Sequence, residues 1–167
     1  MRHIISILLQ NEAGALARVA NLFSSRGYNI ESLNVAPTAD ETVSRLTLVT
    51  SGSNAVIDQI SKQLGKLIDV VEIVDMTSAD HIERELALFK LQVANGGEES
   101  LMAAVKQFDA RVLSDARGHY TVEVVGGSQE IDRFLKRVAA ITDAVTVVRS
   151  GAMAVTRGTR AAPRAGG

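Results

Sequence analysis

The residues best suited to bind a small ligand are Asn11, Gly14 and Asn29, which surround a predicted helix start near the N-terminus. A turn over residues 10–16 follows an apolar predicted strand and opens a helical pattern. A helix start exposes unpaired N–H groups at the positive end of the helix dipole, where a carboxylate is readily held. Two nearby amide oxygens suit an ammonium group. The pattern therefore favours a site for a small zwitterion.

These residues also have purely structural interpretations, which stay open on the sequence alone. Asn11 suits a helix N-cap, whose side chain accepts a hydrogen bond from a first-turn amide. Gly14 is harder to explain in this way, because Gly in a first turn costs roughly 1 kcal/mol relative to Ala. Gly is favoured where a backbone or a ligand approaches closely. Asn29 is expected one residue into the next strand, beside the turn that holds Asn11.

The remaining residue patterns indicate no catalytic or metal site. His3, His81 and His119 are far apart and lack the spacing of metal ligands. Neither a Gly-x-Ser-x-Gly elbow nor a nucleotide-binding glycine motif is present. The segments Asn95-Gly96-Gly97 and Gly126-Gly127-Ser128 are interpreted as turns with helix caps. With no Cys in the chain, disulfides and thiolate metal sites are excluded.

Composition narrows the class of protein. The 167 residues suffice for one ordinary domain or two small ones, and 46% of them are hydrophobic, enough for an aliphatic core. The formal net charge of −1 argues against bulk attraction to nucleic acid or to an acidic membrane. No apolar run approaches the roughly 20 residues of a membrane span. These features predict a soluble, cytoplasmic protein.

Hydrophobic periodicity predicts the order strand–helix–strand–strand–helix–strand twice. This is the ferredoxin-like arrangement, an α+β fold with one antiparallel sheet and both helices on one face. The predicted domains are 1–77 and 78–156, followed by a disordered basic tail at 157–167. The uncovered sheet faces and edges predict association with another chain.

Element limits follow from the same pattern. The first helix is predicted to end at Gly27 with a left-handed cap. The second strand is predicted over residues 28–36, with a bulge or bend where its apolar phase changes. Ser128 is predicted to cap the fourth helix, and residues 145–148 to form the last strand.

Residues 8–40, LLQNEAGALARVANLFSSRGYNIESLNVAPTAD, resemble the regulatory (small) subunit of acetolactate synthase, also called acetohydroxyacid synthase. The shared pattern N-E-x-G-x-L-x-R-V-x-x-L-F-x-x-R-G-x-N-I-E-S-L is long and specific, and the likeness extends weakly through the second half. The resemblance implies that the first domain is an ACT domain, a ligand-sensing ferredoxin-like module. Two such domains pair side by side as a homodimer, and the feedback amino acid, usually valine, binds at the seam.

The positions that match the effector site of this family are Asn11, Ala13, Gly14, Ala15, Leu16, Asn29 and Ile30. The resemblance implies that the amides of Gly14, Ala15 and Leu16 take the effector carboxylate. The two Asn residues fix the ammonium group or the seam, and Ile30 lines an apolar pocket. Family members often carry Pro at the position of Ala13, so this chain lacks a pre-set helix-start angle.

The resemblance further implies a non-catalytic subunit in branched-chain amino-acid biosynthesis. It would activate a catalytic (large) subunit and make it sensitive to valine, with leucine and isoleucine as other candidate effectors. Thiamin diphosphate, Mg²⁺ and FAD would belong to that large subunit. The alternative is a stand-alone ACT-domain sensor that regulates another enzyme or a transcription factor. A co-purifying partner that makes acetolactate would distinguish the two.

Overall fold

The computed structural model describes residues 1–94, 96–142 and 145–158. The chain forms two units, a first unit of Met1–Ile82 with the segment from Ala152 onward, and a second unit of Glu83–Gly151. These limits differ from the predicted domains 1–77 and 78–156. Within the predicted tail, residues 159–167 lie outside the described residues, as does Asn95 of the predicted turn. Arg157 is described, and its backbone N–H donates to the carbonyl of Asp80 at 2.9 Å.

The first unit has the predicted element order. Its sheet runs β2-β3-β1-β4, with β2 and β4 at the edges and every adjacent pair antiparallel. Its elements are β1 (Arg2–Gln10), α1 (Ala15–Ser25), β2 (Ser32–Pro37), β3 (Val43–Ser51), α2 (Asn54–Leu64) and β4 (Val70–Asp75).

One face of this sheet packs against both helices. Alternate residues of a strand point to the same face, so Ile5 and Ile7 of β1 lie beside Leu46 and Leu48 of β3, all four fully buried. The apolar stripes of both helices cover them with Val19, Phe23, Ile57, Ile60 and Leu64. Burial of this aliphatic set fixes α1, and therefore the turn that precedes it, against the end of β1.

The end of α1 confirms the predicted left-handed cap. Gly27 has φ +69°, and the N–H of Tyr28 donates to the carbonyl of Phe23 at 3.0 Å. A left-handed residue just after a helix is usually Gly, because a Cβ is disfavoured there. This cap turns the chain toward the sheet immediately before Asn29.

The predicted start of the second strand is wrong, since β2 begins at Ser32 and not at residue 28. The preceding segment still contacts β3, because the N–H of Glu31 donates to the carbonyl of Val49 at 2.9 Å. Val49 is also the partner of Ser32 in the ladder. Two residues therefore face one, as in a β-bulge, and this agrees with the predicted change of apolar phase.

The second unit repeats the architecture, with the strand order β6-β7-β5-β8. A further strand, β9, pairs with β5, whose first residues His81 and Ile82 belong to the first unit. From residue 81 onward the elements are β5 (His81–Gln92), α3 (Glu98–Gln107), β6 (Arg111–Ala116), β7 (His119–Gly126), α4 (Ser128–Ala139), β8 (Val145–Arg149) and, in the first unit, β9 (Met153–Thr156).

Two predictions for this half are wrong. The strand at 145–149 is not the last one, because β9 follows it. Ser128 is the first residue of α4 and not its cap, since Gly127 holds the N-cap position. The Ser128 hydroxyl instead donates to a carboxylate oxygen of Glu83 at 2.6 Å.

Part of the second face of the first sheet is covered by the chain itself. Ala152 immediately precedes β9 and Ala154 lies within it. Both are buried against Ile4, Val49 and Met76. This packing explains why the segment from Ala152 joins the first unit. The sequence had predicted that it belongs to the second. Among the described residues, no helix is both long and apolar enough to cross a membrane.

Candidate functional site

The turn between β1 and α1 is tied to the hairpin turn between β2 and β3. The backbone N–H of Asn11 donates to the carbonyl of Thr42 at 2.8 Å, and its side-chain Nδ2 donates to the carbonyl of Glu41 at 2.9 Å. A carbonyl accepts only from the N–H side of an amide, so these bonds orient Asn11. Its Oδ1 is then the acceptor atom of this exposed side chain. The interpretation of Asn11 as a helix cap is wrong.

Gly14 holds the N-cap position of α1 with φ +87°, and no side chain caps the helix. Its carbonyl accepts from the N–H of Arg18 at 3.0 Å. A left-handed N-cap strains any residue with a Cβ, which is the local reason for Gly here. The sequence predicted that Gly is needed here, but it placed Gly14 in the first turn of the helix. The structure places it at the N-cap, one residue before the helix.

The backbone N–H groups of the two residues after Gly14 differ in their hydrogen bonds. The N–H of Ala15 reaches the carbonyl of Glu12 at 3.3 Å, which is long for such a bond. The N–H of Leu16 belongs to the first turn, where helices leave donors without an internal partner. Asn11, Ala13 and Gly14 are exposed. The turn therefore presents its donors at an accessible surface with no side-chain cap across them.

An ion pair that the sequence does not predict lies beside this turn. Nη2 of Arg18 donates to Oδ1 of Asp69 at 2.9 Å, and Nε contacts Oδ2. This bidentate contact from Arg18 holds the pKa of the Asp69 carboxyl below its usual range. Asp69 lies outside the 8–40 run that carries the resemblance. No periodicity links it to Arg18, so no pattern in the sequence predicts the pair.

Asn29 and Ile30 lie at the other end of the sheet. The carbonyl of Asn29 accepts from the hydroxyl of Thr50 at 2.6 Å, and Ile30 packs against the core of the first unit. Asn11, by contrast, bonds Thr42, eight residues earlier along β3. At about 3.3 Å per strand residue this separates the two contacts by roughly 26 Å. The expectation that Asn29 lies beside the Asn11 turn within one chain is therefore wrong.

The outer edge of β2 presents backbone groups that pair with no other described strand. The N–H of Thr38 donates to the carbonyl of Val43, and residues that bond an antiparallel partner alternate along a strand. By this alternation Ala36 and Asn34 bond β3, whereas the backbone groups of Val35 and Leu33 point outward. Val35 is also 40% exposed. Such an edge is a template for pairing with another chain.

The described residues assemble no catalytic set. An open groove of about 500 Å³ in the second unit is lined by Lys90, Ser114, Ala116, His119, Tyr120 and Thr121. It contains no carboxylate that would orient or activate His119, as a general base requires. No group of three or more His, Asp or Glu residues in the described part of the chain is arranged to hold a metal ion.

Regions that match known protein families span nearly the whole chain. Residues 5–72 match the model of the AHAS small subunit-like ACT domain, and residues 84–158 match that of the small subunit of acetolactate synthase. The isozyme 3 small subunits of acetolactate synthase from Salmonella typhimurium and Escherichia coli are each 44% identical over 158 residues. This match spans 95% of this chain and 97% of each relative.

Other relatives and a solved structure agree. The acetolactate synthase small subunit of Mycobacterium leprae is 40% identical over 95% of this chain and 93% of its own length. The crystal structure of the small subunit from Thermotoga maritima superposes with a TM-score of 0.85 at 29% identity, covering 95% of this chain and 99% of that one. The predicted tandem fold is thereby confirmed. This chain belongs to the family of acetolactate synthase small subunits, with an ACT domain as its first half.

Proposed function

We propose that this chain activates the large subunit of an acetolactate synthase and makes that enzyme sensitive to valine, through a site completed by two copies of the chain. The family membership supports both the partner and the regulatory role. Thiamin diphosphate, Mg²⁺ and FAD would be held by the large subunit. The observation that carries the proposal is the placement of Asn11 and Asn29 at opposite ends of one sheet edge.

Antiparallel pairing of β2 with its copy reunites these residues. A two-fold axis at Asn34 pairs the outward groups of Leu33 with those of Val35 in the second chain, as an isologous interface requires. In this register Asn29 faces Ala39 of the other chain. Ala39 lies in the hairpin turn whose Glu41 and Thr42 carbonyls bond Asn11. Each dimer would then contain two sites, each built from both chains.

The chemistry of such a site fits a free aliphatic amino acid. The first-turn donors beside Gly14 and the α1 dipole favour the carboxylate. Oδ1 of Asn11 and the exposed side chain of Asn29 from the other chain are acceptors for the ammonium group. Ile30 of that chain offers apolar surface, and each methylene buried there contributes about 0.8 kcal/mol. Valine should therefore bind about 1–3 kcal/mol more tightly than alanine.

A ligand at this seam reports on how the two chains pair. It shifts the pairing only by its differential affinity for two arrangements, and such couplings are commonly about 1–3 kcal/mol. The bound large subunit would respond to that shift by losing activity. Leucine and isoleucine, which are larger, would be discriminated by crowding against the same pocket.

The test combines the full chain with the large subunit from the same genome. We expect the two proteins to co-purify, the large subunit to gain acetolactate-forming activity, and valine to reverse that gain. Titration calorimetry of the small subunit alone with valine, leucine and isoleucine then ranks the effectors. If the chain activates the large subunit but binds none of the three amino acids, the effector site is rejected and the assignment of the partner stands. Binding without a large-subunit complex would favour a stand-alone sensor.

A further inference from the structure

Asp69 joins the two ends of the turn that precedes α1. Its backbone carbonyl accepts from the N–H of Gln10, the last residue of β1, at 2.8 Å. Its carboxylate accepts from Nη2 of Arg18, the fourth residue of α1, at 2.9 Å. The Asp69 side chain is 7% exposed and that of Arg18 is 45% exposed, so the carboxylate is shielded from water while the guanidinium is partly open to it. Residues 11–14 are therefore held between two anchored points.

Gly14 is packed against the same ion pair. A Cβ built on Gly14 would lie 2.9 Å from Nη1 of Arg18, closer than real Cβ atoms approach other atoms. The guanidinium is not a loose chain end, because Nε and Nη2 are both engaged by Asp69. A side chain at position 14 and the Arg18–Asp69 pair thus compete for the same space.

We propose that Arg18 and Asp69 are positioning residues of the effector site, which hold residues 11–14 in the conformation that binds the ligand. Gly14 is required there for a second reason besides its positive φ, because a side chain at this position displaces the guanidinium of Arg18. This inference rests on the proposed function, since it concerns the same turn. Neither residue contacts the ligand in this scheme. Substitutions at Gly14 then abolish feedback indirectly, through the loss of turn geometry, and not by occupying the ligand's space.

A double-mutant cycle tests the indirect route. The L-valine dissociation constant is measured by calorimetry for the full-length wild type, Gly14→Ala, Arg18→Ala and the double variant. Strain from the positive φ of Gly14 is common to both backgrounds and cancels in the coupling. We expect Gly14→Ala to weaken binding about tenfold or more in the wild type and by a factor at least about threefold smaller in Arg18→Ala. Equal factors in the two backgrounds would overturn the inference.

Gly96→Ala is the matched control. Gly96 has φ +94°, and a Cβ there meets nothing within 4 Å, so this variant introduces a similar backbone strain without the contact. We expect it to lower thermal stability and leave the valine dissociation constant unchanged. An effect on valine binding as large as that of Gly14→Ala would show that general destabilisation, and not the Arg18 contact, controls affinity.

A second readout does not depend on valine. Amide hydrogen exchange without ligand is compared for a peptide covering residues 9–19 in wild type and Asp69→Asn, at a temperature where both are folded. We expect exchange to rise about tenfold in this peptide and to stay constant across β7. Unchanged exchange would reject the positioning role. A third outcome is that exchange rises in Asp69→Asn while the wild type binds no branched-chain amino acid. That outcome would reject the proposed function but support the Arg18–Asp69 pair as the element that holds the turn.

Discussion

Asn11 and Asn29 lie at opposite ends of β3, one bonded to the carbonyl of Thr42 and the other to the hydroxyl of Thr50. Within one chain the two side chains share no site. The β2 edge between them carries outward backbone groups, and the proposed antiparallel pairing with its copy would bring each Asn11 to the Asn29 of the other chain. The separation within the monomer is therefore an argument for a ligand site built from two chains.

Replacement of either amide should weaken valine binding. Asn11→Ala and Asn29→Ala should each remove one proposed hydrogen bond to the charged effector, which contributes about 1.5–3 kcal/mol. Asn11→Ala also removes the bond from Nδ2 to the carbonyl of Glu41. Both variants should still activate the large subunit, because neither side chain lies in the core. Calorimetry with valine, beside an activity assay without it, checks this prediction. Unchanged affinity in both variants would remove these side chains from the site.

Mixed dimers test the two-chain site directly. In a dimer of one Asn11→Ala chain and one Asn29→Ala chain, one site lacks both amides and the other has both. After random exchange of the two variants, about a quarter of all sites should regain wild-type affinity. A site contained in one chain gives no recovery, since every chain then lacks one of its amides. The recovered fraction in a valine titration therefore separates the two arrangements.

The β2 edge should control dimerisation. Val35→Pro removes an outward N–H, which serves no bond inside the chain, and Pro is tolerated at such edge positions. Two donors are lost per dimer at about 0.5–1.5 kcal/mol each, so the dissociation constant should rise about 5- to 150-fold. Sedimentation equilibrium measures this constant. Val35→Ala, which keeps the N–H, is the control, and equal dissociation of the two variants would argue against pairing through β2.

Local signals in the sequence predicted the parts of the fold that depend on neighbouring residues. The tandem element order follows from periodicity, and the end of α1 follows from Gly27, because a left-handed cap is a local requirement. Gly14 was recognised as unusual in the same way. Gly is needed at this position for two reasons, a positive φ at the N-cap and the nearby guanidinium of Arg18. Both depend on the folded structure and cannot be inferred from neighbouring residues.

Contacts between distant segments were not predictable from one sequence. Asp69 and Arg18 are 51 positions apart, and no pattern of spacing connects them. The strand β9 was missed because its few apolar residues adjoin a basic, Gly-rich end, although Ala152 is buried against the first unit. The start of β2 was predicted too early, because residues 28–31 have strand-like composition but lie beside β3 through isolated bonds only.

The Arg18–Asp69 pair should make stability depend on pH in a defined range. Arg18 lowers the pKa of Asp69 in the folded state, so the unfolded state binds a proton first as pH falls. The stabilisation is then complete above the unfolded pKa of about 3.9 and is lost as pH falls through the lower folded value. The difference in unfolding free energy between wild type and Asp69→Asn should stay constant from about pH 5 to 8 and shrink below about pH 4.

Urea denaturation at a series of pH values measures this difference. Asp40, whose pKa is also lowered, by hydrogen bonds from Thr42, is present in both proteins, so its contribution cancels. A difference that persists unchanged to pH 2 would show that Asp69 stabilises the turn through its shape and backbone contacts and not through its charge.

The second unit offers a contrast between a buried and an exposed partner of one cation. Arg149 donates to both carboxylate oxygens of Glu85, at 2.7 and 2.8 Å, and to Asp132 at 2.7 Å. These partners raise the pKa of Arg149 above its usual value. The side chain of Glu85 is 4% exposed and that of Asp132 is 54% exposed. Removal of Arg149 therefore strands one buried charge and one solvated charge.

Arg149→Met should lower the unfolding free energy by about 3 kcal/mol, since an unpaired buried carboxylate is costly. Asp132→Asn should cost less than about 1 kcal/mol, because exposed ion pairs contribute little. Adding Glu85→Gln to Arg149→Met should recover part of the loss by removing the stranded charge. Chemical denaturation of the four proteins measures these differences. Similar costs for Arg149→Met and Asp132→Asn would mean that Glu85 is stabilised by water or by neighbours other than Arg149.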